Sequence, residues 1–199
     1  MKNLLVIVLF LNLLSCKAQE YEKVSVSKTD SYELYVNDDE ATELFYYKFI
    51  PKEKIKGVLV IIPSGGEIIE NTLKHITLHK IAVEKGIMVI VPSINWGTAD
   101  REPEFKMLNQ IFSDIVKKHK VSKDYFIIGG LSNGAVISLT YAEQAVKNPG
   151  NFFLIPKAVF ALDAPLDKAR FYKYCEREIE RNIYEPAVGN LNIDIAPQI

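Results

Sequence analysis

Ser132 stands between two glycines in the run Gly130-Leu131-Ser132-Asn133-Gly134, and that spacing suits a serine used as a nucleophile. The apolar residues Tyr125-Phe126-Ile127-Ile128 lead into it, and Ala135 continues away from it with helical character. The pattern G-x-S-x-G between a strand and a helix is that of a nucleophile elbow. A turn this sharp forces the serine into a strained backbone conformation, and the positions two before and two after it must lack bulk so that strand and helix can approach. The hydroxyl is then held out at the carboxyl end of the sheet. The amide of Asn133 lies beside it at a helix start, where positive dipole charge gathers. An ordinary glycine-rich strand-to-helix turn is the plainer alternative, and the apolar strand before it and the helix after it favour the elbow.

Such a serine has to be positioned by a sheet, and the rest of the chain supplies one. Residues 31–36 and 42–50 are rich in Tyr, Phe, Val and Leu, and Asn37-Asp38-Asp39-Glu40 between them is turn material, which predicts an antiparallel hairpin. The run Val58-Leu59-Val60-Ile61-Ile62 has the length and continuous apolarity of a strand buried on both faces. It ends in Ser64-Gly65-Gly66-Glu67, after which a helix is expected over 68–85, stopped by Gly86. A second buried strand over 87–91 runs into a loop carrying Trp96. From Asp100 a helix begins with Glu102 and Glu104 in its first turn and ends with Lys117, Lys118 and Lys120, charges that oppose its dipole at both ends. Phe105, Leu108, Phe112 and Ile115 give that helix one apolar face. Beyond the elbow helix come a fourth parallel strand over 158–162, the turn Asp163-Ala164-Pro165, and an amphipathic, charged helix over 167–182. Strands alternating with helices after an initial hairpin predict an α/β fold, a mostly parallel sheet with helices on both faces.

With its elbow, its Ser64-Gly65-Gly66 loop and this element order, the chain over residues 31 to about 185 resembles the first six strands of the α/β-hydrolase fold. The resemblance implies that the strand ending at Ser64 lies beside the elbow strand, with a crevice opening where their connections diverge. It also implies that Ser64-Gly65-Gly66-Glu67 acts as the loop that supplies one oxyanion-hole amide, from Gly66 or Glu67, while Asn133 supplies the other. Ser64 departs from the histidine usual in such loops, and a plain turn is the alternative. Asp163, at the end of the strand after the elbow, occupies a position some members use for the catalytic acid, most placing it one strand later, and capping or positioning of the turn 163–167 is the plainer reading. Arg170-Phe171-Tyr172 and Tyr174 are open to two readings, as part of a cap over the crevice or as packing for their helix.

A serine hydroxyl needs a base to take its proton, commonly a histidine oriented by a carboxylate. In the family that histidine follows the serine, and none follows Ser132 in this sequence. His119 belongs at the opposite end of the sheet. His75 and His79 have the i,i+4 spacing of a metal pair, yet Ile76-Thr77-Leu78 between them lacks the glutamate of H-E-x-x-H and no third ligand is evident, so neither a metal nor a cofactor is expected. The sequence reads as an α/β-hydrolase cut short, by gene truncation, a frameshift or a split product, with its last strand left as an unpaired edge. The expected function is a serine hydrolase acting on an ester or peptide-like acyl bond. The alternative is a non-catalytic, lipid-anchored remnant or binding module.

The remaining features bear on place and partners. With 199 residues, 48% of them hydrophobic, there is material for one domain with a real core. A net charge of −1 without a basic stripe gives no sign of a nucleic-acid partner. Residues 1–15 join a lysine at position 2 to an apolar run over 4–14, too short for a bilayer span of about 20 residues and suited to a secretion signal. Leu13-Leu14-Ser15-Cys16 resembles a bacterial lipobox. That resemblance implies cleavage before Cys16, its lipidation, and export to the cell envelope with a membrane anchor. Residues 16–30 then form a polar tether, and 31–199 the partial hydrolase domain. Cys175 is the only other thiol, so an internal disulfide framework is unavailable.

Overall fold

The computed structural model describes residues 21–26, 44–94 and 101–180. Its centre is a six-stranded sheet: β1 (Glu22–Ser25), β2 (Phe45–Phe49), β3 (Gly57–Ile62), β4 (Ile87–Pro92), β5 (Phe126–Leu131) and β6 (Ala158–Leu162). The spatial order is β1-β2-β4-β3-β5-β6. β1 pairs antiparallel with β2 and β2 antiparallel with β4, while β4, β3, β5 and β6 are parallel. Every residue of β3 is buried, as its uninterrupted aliphatic run demands of a strand covered on both faces.

The described residues hold five α-helices, α1 (Ile69–His75), α2 (Leu78–Glu84), α3 (Glu102–His119), α4 (Asn133–Lys147) and α5 (Lys168–Glu180), of which the first four pack on the sheet. One face packs Met107, Leu108, Ile111, Phe112 and Ile115 of α3 with Ile137, Tyr141 and Ala145 of α4 against Val58, Val60, Met88, Ile90, Phe126 and Ile128. The other face packs Ile69 of α1 and Ala82 of α2 against Tyr47, Phe49, Leu59, Ile61, Val89 and Val91. The sheet therefore carries helices on both sides, as the alternation of elements predicts. The charges of α3 sit as expected, Glu102 and Glu104 in the first turn and Lys117, Lys118 and His119 in the last.

Two local expectations are corrected. On the side away from β4, β2 pairs antiparallel with Glu22–Ser25, in the stretch read as tether, with Lys23↔Tyr47 and Val24↔Tyr46 in register. The expected partner over 31–36 lies outside the described residues. A four-residue strand with one half-buried position is too short for its periodicity to stand out in a polar sequence. The single helix expected over 68–85 is two helices, because Ile76 takes an extended conformation (φ −117°, ψ 134°) and ends α1 before Thr77 starts α2. Ile76 is β-branched, and it packs with the second apolar cluster while interrupting the helix.

Among the described strands, β6 is bonded to β5 alone. No helix of the described residues is long and apolar enough to cross a membrane.

Candidate active site

β5 ends at Leu131, α4 begins at Asn133, and Ser132 makes the whole connection. Its backbone has φ 49° and ψ −116°, close to a turn position dominated by glycine. For a serine this is strain, of the order of 1–3 kcal/mol where such outliers persist. The surrounding bonds hold it there. The Ser132 amide donates to the Leu162 carbonyl at 2.8 Å, extending the β5–β6 ladder, and the Ser132 carbonyl accepts from Ala135 and Val136 at 3.1 and 3.2 Å. The flanking glycines are required by contact. A Cβ on Gly130 would lie 2.5 Å from the Ile62 carbonyl oxygen and from the Gly134 carbonyl carbon, and one on Gly134 would lie 2.2 Å from the carbonyl oxygen of Pro63. Both collisions are with backbone, so the end of β3 and the start of α4 touch through the space these glycines leave empty.

The same closeness brings the loop after β3 to the elbow. Glu67 donates its amide to the Ser64 carbonyl at 3.1 Å, and Gly66 between them has φ 74°, the hydrogen bond and left-handed third residue of a type II turn. Gly65 faces Asn133, since a Cβ on Gly65 would stand 3.4 Å from the Asn133 Cβ and 3.6 Å from its Nδ2. Gly66 is exposed, with nothing within 4 Å of where its Cβ would be. Of the two amides expected to face an oxyanion, that of Glu67 is therefore committed to closing the turn, which leaves Gly66 as the better placed. Gly66, Glu67, Asn133 and Ser132 are brought to one end of the sheet.

Arg101 belongs to this neighbourhood and was not anticipated. Its Nη2 donates to Asn133 Oδ1 at 3.0 Å, and its Nη1 is 3.2 Å from Glu104 Oε1. Glu104 is wholly buried and Arg101 largely so, with side-chain exposures of 0% and 22%. A buried carboxylate requires a cation, and this one also reaches the residue next to the elbow serine. The i,i+3 spacing of Arg101 and Glu104 is visible in the sequence, but the 32-residue separation from Asn133 gives no local signal.

Asp163 directly follows Leu162, whose carbonyl accepts from Ser132, and it is exposed with φ 54°. Capping of the next helix falls instead to Asp167, whose Oδ1 accepts from the Arg170 amide at 2.9 Å. In α5, Phe171 and Tyr172 are half-buried and Tyr174 is exposed. Cys16 and Trp96 lie outside the described residues.

The three histidines sit on α1, α2 and α3. His119 closes α3, just before the chain enters β5 from the end opposite the elbow. His75 is exposed at the last residue of α1, the end that leads away from the glycine turn. His79 is 3% exposed on α2, its ring 5.3 Å from that of Phe49, and its Nδ1 is buried without a hydrogen-bond partner among the described residues. The possible metal pair is thus divided between two helices and between surface and core. Burial holds both His79 and His119 below the ordinary histidine range, helped by Lys80 at the first and Lys48 at the second. The Ser132 hydroxyl makes no hydrogen bond to a histidine among the described residues.

In sequence, no family profile and no curated protein matches the chain. In structure it is similar to a bacterial heroin esterase, with a TM-score of 0.55 at 16% identity over 82% of this chain and 51% of the other. It is also similar to a fluorophosphonate-binding serine hydrolase of Staphylococcus aureus, solved with substrate bound, with a TM-score of 0.54 at 12% identity over 77% of this chain and 60% of that one. A thermostable carboxyl esterase from Bacillus coagulans in complex with glycerol aligns with a TM-score of 0.50 at 13% identity over 83% of this chain and 52% of that one. The fold is accordingly the α/β-hydrolase fold. The chain spans between half and three fifths of the length of these proteins.

Proposed function

We propose that the chain is an acyl hydrolase of the α/β type, with Ser132 as nucleophile and an ester or peptide-like acyl bond as substrate. The observation that carries this reading is the backbone of Ser132 itself, held at φ 49° and ψ −116° between two glycines that touch the end of β3. Backbone strain of this kind clusters at active sites. In the proposed reaction Ser132 Oγ bonds to the acyl carbon and its proton passes to a base. The carbonyl oxygen becomes an oxyanion facing the amides of Asn133 and Gly66, and collapse expels the alcohol or amine, which takes up that proton. Water then cleaves the acyl-serine, releasing the acid and restoring the hydroxyl. Asp163 is the acid proposed to orient the base. No histidine is hydrogen-bonded to Ser132 among the described residues.

That last observation favours a second reading, a binding module that keeps the crevice and performs no chemistry. Reaction with a serine-directed fluorophosphonate separates the two. Labelling of the native chain that disappears in Ser132→Ala supports the hydrolase, whereas a folded native chain that takes up no probe leaves the binding module.

Export and lipid anchoring through Cys16 are proposed on the short apolar run and the Leu-Leu-Ser-Cys sequence alone. Expressed with its leader in a bacterium fed labelled palmitate, the chain should carry label and Cys16→Ser should not. An unlabelled native chain rejects the anchor.

A further inference from the structure

From the buried carboxylate of Glu104 a polar strut runs through Arg101 to the Asn133 side chain, which stands beside Gly65 of the turn after β3. Glu104 Oε1 meets Arg101 Nη1 at 3.2 Å, Arg101 Nη2 meets Asn133 Oδ1 at 3.0 Å, and the Nδ2 side of Asn133 lies against Gly65. The guanidinium is planar and rigid, so engaging two of its nitrogens fixes the plane of the third group in the chain. With Oδ1 turned to Arg101, the Asn133 amide group presents Nδ2 to the turn, and a Cβ on Gly65 would be 3.6 Å from that nitrogen. Arg101, at the cap of α3, and Glu104 in its first turn are thereby tied to Asn133, the first residue of α4, beside the glycine turn.

We infer that Arg101 is a positioning residue, which acts through the Asn133 side chain to hold the Ser64–Glu67 turn at its working distance from Ser132. The inference rests on the acyl-hydrolase reading for its consequence in catalysis, and on geometry alone for the strut. Arg101 makes no hydrogen bond to the proposed nucleophile among the described residues. Its placement accounts for two things that the elbow alone leaves unexplained: a fully buried glutamate in the first turn of α3, and an asparagine, a weak helix former, at the first position of α4. Lysine cannot replace it, since a single ammonium cannot reach Glu104 and Asn133 with the same two-pronged geometry.

The test uses the full chain and three variants, Arg101→Met, Arg101→Lys and Glu104→Gln, with two readouts. The first is amide hydrogen exchange at Glu67, whose N–H closes the turn, referred to Val60 and Ile90 in the central strands. The second is the bimolecular rate at which Ser132 takes up a fluorophosphonate. Exchange at Glu67 should rise at least about tenfold in Arg101→Met and Arg101→Lys while Val60 and Ile90 stay as they are, and phosphonylation should slow by about 10- to 100-fold, the scale expected when reacting groups are displaced by about 1 Å. Glu104→Gln, which keeps a hydrogen-bonding oxygen but not the charge, should fall between native and Arg101→Met. Unchanged exchange at Glu67 in any folded Arg101 variant overturns the strut, and a native phosphonylation rate in those variants overturns its role in reactivity. Should Arg101→Met fail to fold, Arg101→Lys decides. A native chain inert to the probe removes the hydrolase reading, and exchange at Glu67 then judges the strut by itself.

Discussion

A methyl group on Gly134 would stand 2.2 Å from the carbonyl oxygen of Pro63, so the elbow helix and the end of β3 are in backbone contact. Neither wall can give way as a flexible side chain can. Overpacking of cores ordinarily costs about 1–3 kcal/mol, and a collision between two backbones belongs at or above the top of that range. Gly134→Ala should therefore lose about 3 kcal/mol or more in urea unfolding, with the midpoint lowered and the slope unchanged. A native midpoint would mean that α4 can slide away from β3 without penalty. Gly66→Ala, in open space but at φ 74°, should lose only about 1 kcal/mol, the strain of a left-handed residue.

The strain at Ser132 can be measured separately from its chemistry. Its φ and ψ suit glycine and oppose any residue with a Cβ. Alanine and glycine both remove the hydroxyl, but only glycine relieves the backbone. Ser132→Gly should be more stable than Ser132→Ala by about 1 kcal/mol, even though glycine elsewhere loses about that much through the entropy of the unfolded chain. Chemical unfolding of the pair gives the difference directly. A Ser132→Gly chain less stable than Ser132→Ala would show that the turn is not strained.

Gly130, Ser132 and Gly134 were legible because the elbow imposes its constraint within five consecutive residues, and the buried strands because their apolar runs are unbroken. What stayed hidden is non-local. Glu22–Ser25 becomes a strand by pairing with Phe45–Phe49, not through any pattern of its own. The break at Ile76–Thr77 divides a sequence whose helical periodicity continues across it, and Ile76 packs with the second apolar cluster where the helix stops. Arg101 reaches Asn133 only because α3 and α4 start side by side at the same end of the sheet. The turn bond from Glu67 depends on the left-handed Gly66, and a Gly-Gly pair alone does not say which glycine takes that conformation.

Asn109 ties three segments of the first core together. Its Oδ1 accepts from the Tyr141 hydroxyl at 2.7 Å and from the Phe153 amide at 2.9 Å, and its Nδ2 donates to the Asn151 carbonyl at 3.2 Å. Tyr141 is fully buried, and burial pushes its ionisation well above the usual tyrosine range. Removing the shared acceptor strands a phenol and a backbone amide, at about 1–3 kcal/mol for each buried group left unmade. Asn109→Leu should lose about 2–4 kcal/mol, while Asn109→Asp, which keeps the acceptor and loses one donor, should lose less than half as much. Equal losses in the two variants would locate the effect in packing instead of in the shared oxygen.

One buried and one half-buried histidine give the fold a pH dependence whose sign follows from desolvation. His79, packed against Phe49, and His119, near Lys48 and Glu22, both protonate less readily in the folded chain than at the ordinary value of about 6.5. Below that value the unfolded chain takes up protons that the folded chain refuses, so stability rises with pH through this window. The contribution is fully present above about pH 6.5 and is lost as pH falls from there toward the lowered folded-state values. The melting temperature should thus drop between pH 7.5 and pH 5. His79→Phe, which keeps a ring beside Phe49 and removes the titrating nitrogen, should flatten that drop without lowering stability at pH 7.5. A melting curve for His79→Phe that still falls by the native amount would assign the acid sensitivity to His119 or to the carboxylates, and His79 would then be no more than a packed ring.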